Sequence, residues 1–145
     1  MTQITISSLS PHLIKQQELA QINALLKQFS PKAAPLTAVV LRTMLLNNFL
    51  FIAWDAERNV VGMTMLVHYH KPTGHVGIIE DVIVDQAHRR QGIGRALVSH
   101  AIHTARACGL KHIELTSNPS RVEARALYRS LGFEERDTTC FRLTL

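Results

Sequence analysis

Apolar and polar positions alternate in several short segments of the chain, and this period of two is typical of β-strands. The first such segment is TQITISS, residues 2–8. Further apolar or alternating runs predict strands over 49–54, 60–70 and 75–84, with short polar turns between them. Because these three runs follow one another through tight turns, we expect them to form an antiparallel meander.

Three other segments show a period of 3.6, which predicts helices. Two of them, residues 11–29 and 38–47, precede the meander, and we expect Ser10 and Thr37 to cap them. A third helix is predicted over 92–107, directly after the meander, with Gly109 at its end. Its apolar stripe, which we expect to be buried, consists of Ile93, Leu97, Ala101, Ala105 and Cys108.

The last third of the chain predicts a fourth helix and three short strands. The sequence SRVE at 120–123 is a capping box, and the helix that it opens is closed by Gly132. The strands are predicted over 111–116, 133–136 and 139–145. No repeat, low-complexity stretch or linker divides the chain, so we expect a single α/β domain over residues 1–145 with a mixed sheet.

The composition is that of a folded cytoplasmic protein. The chain has 145 residues, of which 46% are hydrophobic, and no apolar run reaches the roughly 18 residues that a membrane span needs. Its two cysteines, Cys108 and Cys140, do not form a CxxC motif, and the N-terminus lacks the pattern of a secretory signal. We therefore expect reduced thiols and no contact with a membrane.

The eight histidines raise the question of a metal site. His68 and His70 share one face of a predicted strand, and His100 and His103 are neighbours on a predicted helix. No third ligand stands at a suitable spacing from either pair, and the HExxH motif is absent. We expect no metal.

The positive charge of the chain is concentrated in its second half. The net charge is +5, and the segment from Arg89 to Arg129 holds eight basic residues against Glu114 and Glu123 alone. A nucleic acid would explain this bias, but no aromatic residue except Tyr128 lies among the basic ones, as stacking on bases requires. A compact anionic ligand explains the charge equally well.

The sequence RRQGIGRA, residues 89–96, predicts where such an anion binds. The first N–H groups of a helix lack internal partners, and the helix dipole makes that end positive. Gly92 and Gly94 leave these N–H groups open to a ligand, and the arginines add charge. A Walker A sequence is absent, and Leu97 stands where a dinucleotide fingerprint has its third glycine.

Two segments together resemble the GNAT superfamily of N-acetyltransferases. VIVDQAHRRQGIGRAL is similar to that superfamily's acyl-CoA motif, [R/Q]-x-x-G-x-[G/A] after a strand, with Arg89, Gly92 and Gly94 in the defined positions. LTSNPSRVEARALYRSLGF resembles the second signature, an asparagine after a strand and then a helix with A-x-x-x-Y that ends in LGF. The likeness covers about residues 75–136, and residues 1–74 match only in the order of elements.

The resemblance implies a GNAT-like fold, with a central, mixed, mostly antiparallel sheet and about four helices around it. The sheet would part between its fourth and fifth strands, here 75–84 and 111–116, and acetyl-CoA would lie in the gap as co-substrate. Asn118 would bond the pantetheine, and Tyr128 would face the sulfur. The backbone of Val82, Ile83 and Val84 would pair with the pantetheine arm, and the pyrophosphate would lie against Arg89, Arg90, Gln91, Gly92, Ile93, Gly94 and Arg95.

Acetyl transfer to an amine needs a base, because at pH 7 only about one lysine-like amine in 10³ is neutral. Glu80 and Asp81 are adjacent carboxylates, and strict alternation puts Glu80 on the face of Ile78, Val82 and Val84, with Asp81 on that of Ile79 and Ile83. Both faces are apolar and a bulge would shift the phase, so either carboxylate remains a candidate, with Glu80 favoured. Tyr128 would protonate the departing thiolate, as the family resemblance implies, or would only pack on its helix.

These observations predict an N-acetyltransferase that moves the acetyl group directly from acetyl-CoA to the primary amine of a small molecule in a ternary complex. A protein acetyltransferase acting on an N-terminus or a lysine is an alternative, and so is a CoA-binding module without turnover. We expect no nucleic-acid partner. The resemblance also allows a homodimer.

Overall fold

The computed structural model describes residues 3–145, so Thr2, the first residue of the first predicted strand, lies outside the described part. The chain divides into two compact units. The first extends to Leu115, and the second comprises Thr116–Leu145.

The first unit contains a five-stranded mixed sheet in the order β1-β2-β3-β4-β5. The first four strands pair antiparallel, and β4 pairs parallel with β5. The predicted meander and mixed sheet are thus confirmed, while the fifth strand is much shorter than 111–116. The strands are β1 (Thr5–Ser8), β2 (Phe49–Trp54), β3 (Val60–Lys71), β4 (Gly74–Val84) and β5 (Ile113–Glu114).

Three helices belong to this unit and one to the second. In the first unit they are α1 (Gln16–Phe29), α2 (Ala38–Leu45) and α3 (Ile93–Ala107), and the second unit contains α4 (Val122–Ser130). The Thr37 hydroxyl accepts a hydrogen bond from the Val40 N–H at 3.2 Å, which confirms the predicted cap of α2. The Ser10 cap is wrong, because the Ser10 hydroxyl instead accepts from the His12 N–H at 3.3 Å in a separate turn.

The sheet of the first unit is covered on both faces. Ile22 and Leu25 of α1 and Leu41 of α2 pack with Ile52 and Met63 in one buried cluster. Phe51 points to the opposite face, since neighbouring strand residues alternate, and its ring contacts His100 of α3 with 4.8 Å between centroids. Helix α3 therefore lies on the face opposite α1 and α2.

Two predictions about the ends of helices α3 and α4 are wrong. Cys108 is exposed, because the buried stripe of α3 ends one turn earlier at Ala105. Helix α4 begins with Arg121 as its N-cap, and the Ser120 hydroxyl donates to Asn118 Oδ1 at 2.9 Å instead of capping the helix.

The two predicted C-terminal strands are also absent, since the described residues 133–145 form no helix or strand. Glu135 lies in the first of these segments, and its carboxylate pairs with Arg125 and Arg129 of α4. The second segment alternates as a strand would, but Phe141, Leu143 and Leu145 are 90%, 84% and 111% exposed. A strand needs a partner for its backbone groups, and alternation alone does not supply one.

Candidate active site

Strand β4 carries a bulge at its two adjacent carboxylates. Met65 of β3 is opposite Glu80, and Met63 is opposite Ile83, so the single residue Thr64 faces two residues of β4. One of these two is Asp81, whose φ of 52° lies in the left-handed region. The fully buried Thr64 hydroxyl donates to the Glu80 carbonyl at 3.1 Å and so stabilises the bulge from the neighbouring strand.

The bulge changes which side chains share a face of the sheet. Residues opposite each other on paired strands lie on the same side, so Glu80 and Ile83 lie with Met65 and Met63. Met63 and Ile83 belong to the cluster that α1 and α2 cover. Strict alternation had placed Glu80 and Ile83 on opposite faces, and that expectation is wrong because the extra residue shifts the phase. Both Glu80 and Asp81 are exposed.

Strand β4 pairs with β5 over only a short part of its length. Their parallel pairing consists of Gly77 with Ile113 and Ile78 with Glu114. Strand β4 continues for six more residues, to Val84, without a ladder partner in β5. The predicted parting of the fourth and fifth strands is confirmed, and Val82, Ile83 and Val84 lie on the part of β4 beyond the pairing.

Beyond Val84 a loop leads into α3, and its backbone has the shape predicted for anion binding. Arg90 and Gly92 have φ values of 62° and 78°, and α3 begins at Ile93. The Ala96 N–H donates to the Gly92 carbonyl at 3.0 Å as the first helical bond, so the N–H groups of Ile93 and Gly94 precede the helical ladder. No atom lies within 4 Å of the position that a Gly92 side chain would occupy, so space beside this helix end is open.

The side chains of this loop divide into exposed and buried ones. Arg89, Arg90, Gln91 and Arg95 are exposed, and the Arg89 Nε–H lies 3.5 Å from the Val84 carbonyl oxygen. Ile93 is buried with 2% exposure, so only its main chain is available to a ligand. The predicted phosphate site therefore combines main-chain donors with arginine side chains that face solvent.

Asp85 anchors the start of the loop, and sequence analysis missed it. Its N–H continues the sheet by donating to the Val61 carbonyl at 2.9 Å. Its carboxylate accepts from the Ala87 N–H at 3.2 Å, from His88 Nδ1 at 2.6 Å and from Gln28 Nε2 at 2.8 Å. The Gln28 amide, followed by His88 and the Ala87 N–H, holds the pKa of Asp85 below its usual 3.8. The position of Asp85 directly after a predicted strand could have marked it in the sequence as a turn residue. Its contact with Gln28 could not have been predicted there.

Asn118 and Tyr128 lie in the second unit. Asn118 Oδ1 accepts from the Ser120 N–H and hydroxyl, both at 2.9 Å, and closes the turn before α4. The Tyr128 ring lies edge-on to Phe133 with 6.0 Å between centroids. Burial raises the pKa of the Tyr128 hydroxyl above its usual 10.0, against the opposing effect of the Arg121 charge.

Ser117 is a second residue that sequence analysis missed. Its Oγ is buried, and the described residues offer it no hydrogen-bond partner. Buried hydroxyls without a partner are rare, because desolvation costs about 1–3 kcal/mol when no bond replaces water. A serine next to Asn118 gave no signal in the sequence that distinguished it from a surface residue.

Within residues 3–145, no group of three or more histidine, cysteine, aspartate or glutamate side chains is arranged to hold a metal ion. Every helix in this range is too short or too polar to span a bilayer.

The sequence profile of the Acetyltransferase (GNAT) family matches residues 19–133. The chain therefore belongs to the GNAT family of acetyltransferases, which confirms the resemblance found in the two motifs. The match begins well before those motifs and so includes most of α1, all of α2 and most of the sheet.

Named relatives agree with this family. Human N-acetyltransferase 8 is 34% identical over 89 residues, which are 60% of this chain and 39% of the human protein. Glucosamine 6-phosphate N-acetyltransferase 1 of Oryza sativa subsp. japonica is 30% identical over 139 residues, 86% of this chain and 82% of the rice protein. The chain spans about two fifths of the length of the human relative.

A solved structure supports the fold. Aminoglycoside N-acetyltransferase AAC(6')-Iy, in complex with CoA, superposes with a TM-score of 0.81 at 18% identity. The superposition covers 99% of this chain and 96% of the other. The GNAT-like fold class predicted from the sequence is thus confirmed.

Proposed function

We propose that this protein transfers the acetyl group of acetyl-CoA to the primary amine of a small molecule. One observation carries the proposal: the bulged end of β4, whose edge on the β5 side has no partner in β5, is followed by the loop that leads to the open helix end at Gly92. This arrangement offers an extended backbone edge to an amide-containing arm and, next to it, main-chain donors to a diphosphate. Coenzyme A has both of these groups in that order. Membership of the GNAT family supports the same cofactor.

The coenzyme would be held mainly by the main chain of the first unit. Val82, Ile83 and Val84 would pair with the pantetheine arm. The pyrophosphate would receive N–H donors between Gln91 and Arg95, with charge from Arg89 and Arg90. In the second unit, Asn118 would bond the pantetheine, as the family resemblance implies.

The reaction would proceed by direct attack. The amine nitrogen loses a proton to a carboxylate, directly or through water, and attacks the thioester carbonyl carbon. The C–N bond forms, the C–S bond breaks, and the thiolate takes a proton. We favour Glu80 over Asp81 as the base, because Glu80 lies on the face of the sheet that α1 and α2 cover. Tyr128 would donate to the thiolate, and its raised pKa keeps the phenol protonated at neutral pH.

Two of the matched proteins support a small amine as the acceptor class. The rice relative matches over 86% of this chain and is named for an amino-sugar phosphate, and the CoA-bound structural neighbour is named for aminoglycosides. An N-terminal or lysine amine of a protein is the alternative acceptor, and a module that binds CoA without turnover is the alternative to an enzyme.

Two measurements on the purified protein test the proposal. Isothermal calorimetry with CoA should show binding at one site per chain. Thiol release from acetyl-CoA should then accelerate with at least one member of a panel of amino sugars, aminoglycosides, polyamines, amino acids and peptides. Absence of CoA binding by the folded protein would refute the proposal. CoA binding without turnover on any amine would favour the non-catalytic module, and turnover on peptides alone would favour the protein acetyltransferase.

A further inference from the structure

Helix α1 carries two glutamines, Gln21 and Gln28, that make the same pair of hydrogen bonds to two different loops. They are seven residues apart, which is about two helical turns, so they lie on one face of α1. A primary amide donates and accepts in one plane, and each glutamine uses both functions at once. The two loops are the β2–β3 turn and the loop from β4 to α3.

Gln28 contacts the loop from β4 to α3. Its Nε2 donates to Asp85 Oδ1 at 2.8 Å, and its Oε1 accepts from the Gln86 N–H at 3.2 Å. One side chain from α1 therefore fixes both a side chain and a peptide group at the point where the loop leaves the sheet.

Asp85 in turn forms hydrogen bonds with residues further along the loop. The carboxylate oxygen that Gln28 does not contact accepts from the Ala87 N–H at 3.2 Å and from His88 Nδ1 at 2.6 Å. The His88 N–H also donates to the Asp85 carbonyl at 2.9 Å. Residues 85–88 thus form one hydrogen-bonded turn that Gln28 holds from outside, and Arg89–Gly92 follow it directly.

Gln21 makes the equivalent contacts with the turn between β2 and β3. Its Nε2 donates to Asn59 Oδ1 at 3.1 Å, and its Oε1 accepts from the Val60 N–H at 3.0 Å. Asn59 and Val60 belong to the turn between β2 and β3 and the start of β3. Gln21 is therefore a matched control, with the same helix, the same chemistry and a different loop.

We propose that Gln28 is a positioning residue for the coenzyme: by fixing Asp85 and Gln86, it holds the loop that presents the diphosphate donors. Gln28 does not touch the coenzyme in this proposal and acts through the loop. The inference rests on the proposed function, because it assumes that residues 89–95 bind CoA.

The test compares Gln28→Leu with Gln21→Leu. Both variants remove one donated and one accepted hydrogen bond, so thermal melting should show similar losses of stability. Calorimetry should show a Kd for CoA raised about three- to tenfold in Gln28→Leu. Without the Gln28 hydrogen bonds the free loop is less ordered, and ordering it when CoA binds costs a free energy of about the size of one hydrogen bond. Gln21→Leu should keep the Kd within about twofold. With an accepted amine, kcat at saturating acetyl-CoA should be nearly unchanged in both variants while KM follows Kd.

Amide hydrogen exchange of the ligand-free protein gives a readout that does not depend on CoA. Amides of residues 86–93 should exchange faster in Gln28→Leu than in wild type, and those of 56–60 should do so in Gln21→Leu. If Gln28→Leu does not fold, Gln28→Glu keeps the size and the acceptor for the Gln86 N–H but places a carboxylate against Asp85. The same weakening of CoA binding is expected from that variant.

The outcomes separate this inference from the proposed function. If the wild-type protein does not bind CoA, both the proposed function and this inference are refuted. If wild type binds CoA and the Gln28 variants bind with the same Kd, only the positioning role is overturned. Equal weakening in the Gln21 and Gln28 variants would also overturn it, since general destabilisation would then explain the loss.

Discussion

At the scale of single residues, Tyr128 combines two properties that a proton donor needs. Its hydroxyl is a neutral phenol at pH 7, and burial raises its pKa above 10.0. The nearby Arg121 charge opposes that shift and would favour the phenolate once the proton has left. The edge contact with Phe133 orients the ring within the second unit.

Replacing Tyr128 with phenylalanine should therefore affect turnover more than binding. We expect kcat of Tyr128→Phe to fall by about a hundredfold, a typical contribution of a general acid, while KM for acetyl-CoA changes much less. Steady-state thiol release measures both constants. Tyr69→Phe removes a hydroxyl from the chain's other tyrosine, an exposed residue of β3, and should leave kcat unaltered. Wild-type turnover in Tyr128→Phe would remove the proposed proton donor.

The adjacent carboxylates of the bulge can be told apart by conservative substitution. Glu80→Gln should lower kcat/KM by about a hundredfold at pH 7, because the protonated amine loses its base. The deficit should shrink as the pH approaches the pKa of the acceptor amine, since free amine then becomes abundant. Asp81→Asn should stay within about twofold of wild type. A reversal of these two results in a pH–rate profile would assign the base to Asp81.

At the scale of elements, the contact between β3 and α3 depends on Gly62. A Cβ at this position would lie 3.1 Å from the Ile83 carbonyl oxygen, from Ile93 Cγ2 and from Leu97 Cδ1. One of these neighbours is backbone of β4 and the other two belong to the first turns of α3. The glycine therefore lets the helix with the open N-terminal end pack closely on the sheet.

Gly62→Ala should destabilise the protein by about 1–3 kcal/mol, as overpacking of a tight contact usually does. Urea denaturation measures this difference. Gly92→Ala provides the comparison, because its Cβ would meet no atom within 4 Å and only the positive φ of 78° penalises it. That strain should cost about 1 kcal/mol. An unchanged urea midpoint in Gly62→Ala would mean that α3 moves away from β3 at no cost.

Local periodicity explains which elements the sequence could predict. The meander and α3 were predicted within a few residues because their apolar patterns are long and bounded by glycine, proline or polar turns. The bulge in β4 was not placed, since it depends on the Thr64 hydroxyl of the neighbouring strand. The C-terminal strands failed for a related reason, because alternation in residues 139–145 does not specify a partner.

The candidate site was predictable where main-chain shape follows from residue type. Glycines at 92 and 94 predicted an open helix start, and the structure has one there. The anchors Asp85 and Gln28 were missed because they are 57 residues apart and meet only after folding. Single sequences carry no local signal for such contacts.

At the scale of the whole molecule, a group of histidines is expected to make the free energy of unfolding depend on pH. His68 Nδ1 lies 3.0 Å from His75 Nε2, and the rings of His70 and His75 stack with 4.0 Å between centroids. Burial, followed by the neighbouring His70 and His68, lowers the pKa of His75 below its usual 6.5. On α3, burial and then His103 lower the pKa of His100 as well. The unfolded chain thus binds protons more readily at these sites.

We therefore expect the free energy of unfolding to fall as the pH is lowered from about 6.5 toward the lower pKa values of the folded state. The lowered pKa values of Asp55, Asp85 and Glu135 act below about pH 5, outside the pH range compared here. Urea denaturation at pH 7.5 and 5.5 measures the difference. It should be smaller in His75→Gln than in wild type and unchanged in His12→Gln, which alters an exposed histidine outside the group. A wild-type free energy that is independent of pH would contradict the expectation.

The extra residue at Asp81 also affects how the gene can change. Deleting codon 81 or codon 82 would remove the extra residue and let β4 resume regular pairing with β3. The remaining residue would then face Thr64, and Ile83 and Val84 would keep Met63 and Gly62 as partners, so their side chains would stay on the same faces of the sheet. Such a deletion should therefore preserve the register of β4 and remove only the bulge, whereas losing a residue from the regular part of the strand would move every later side chain to the opposite face.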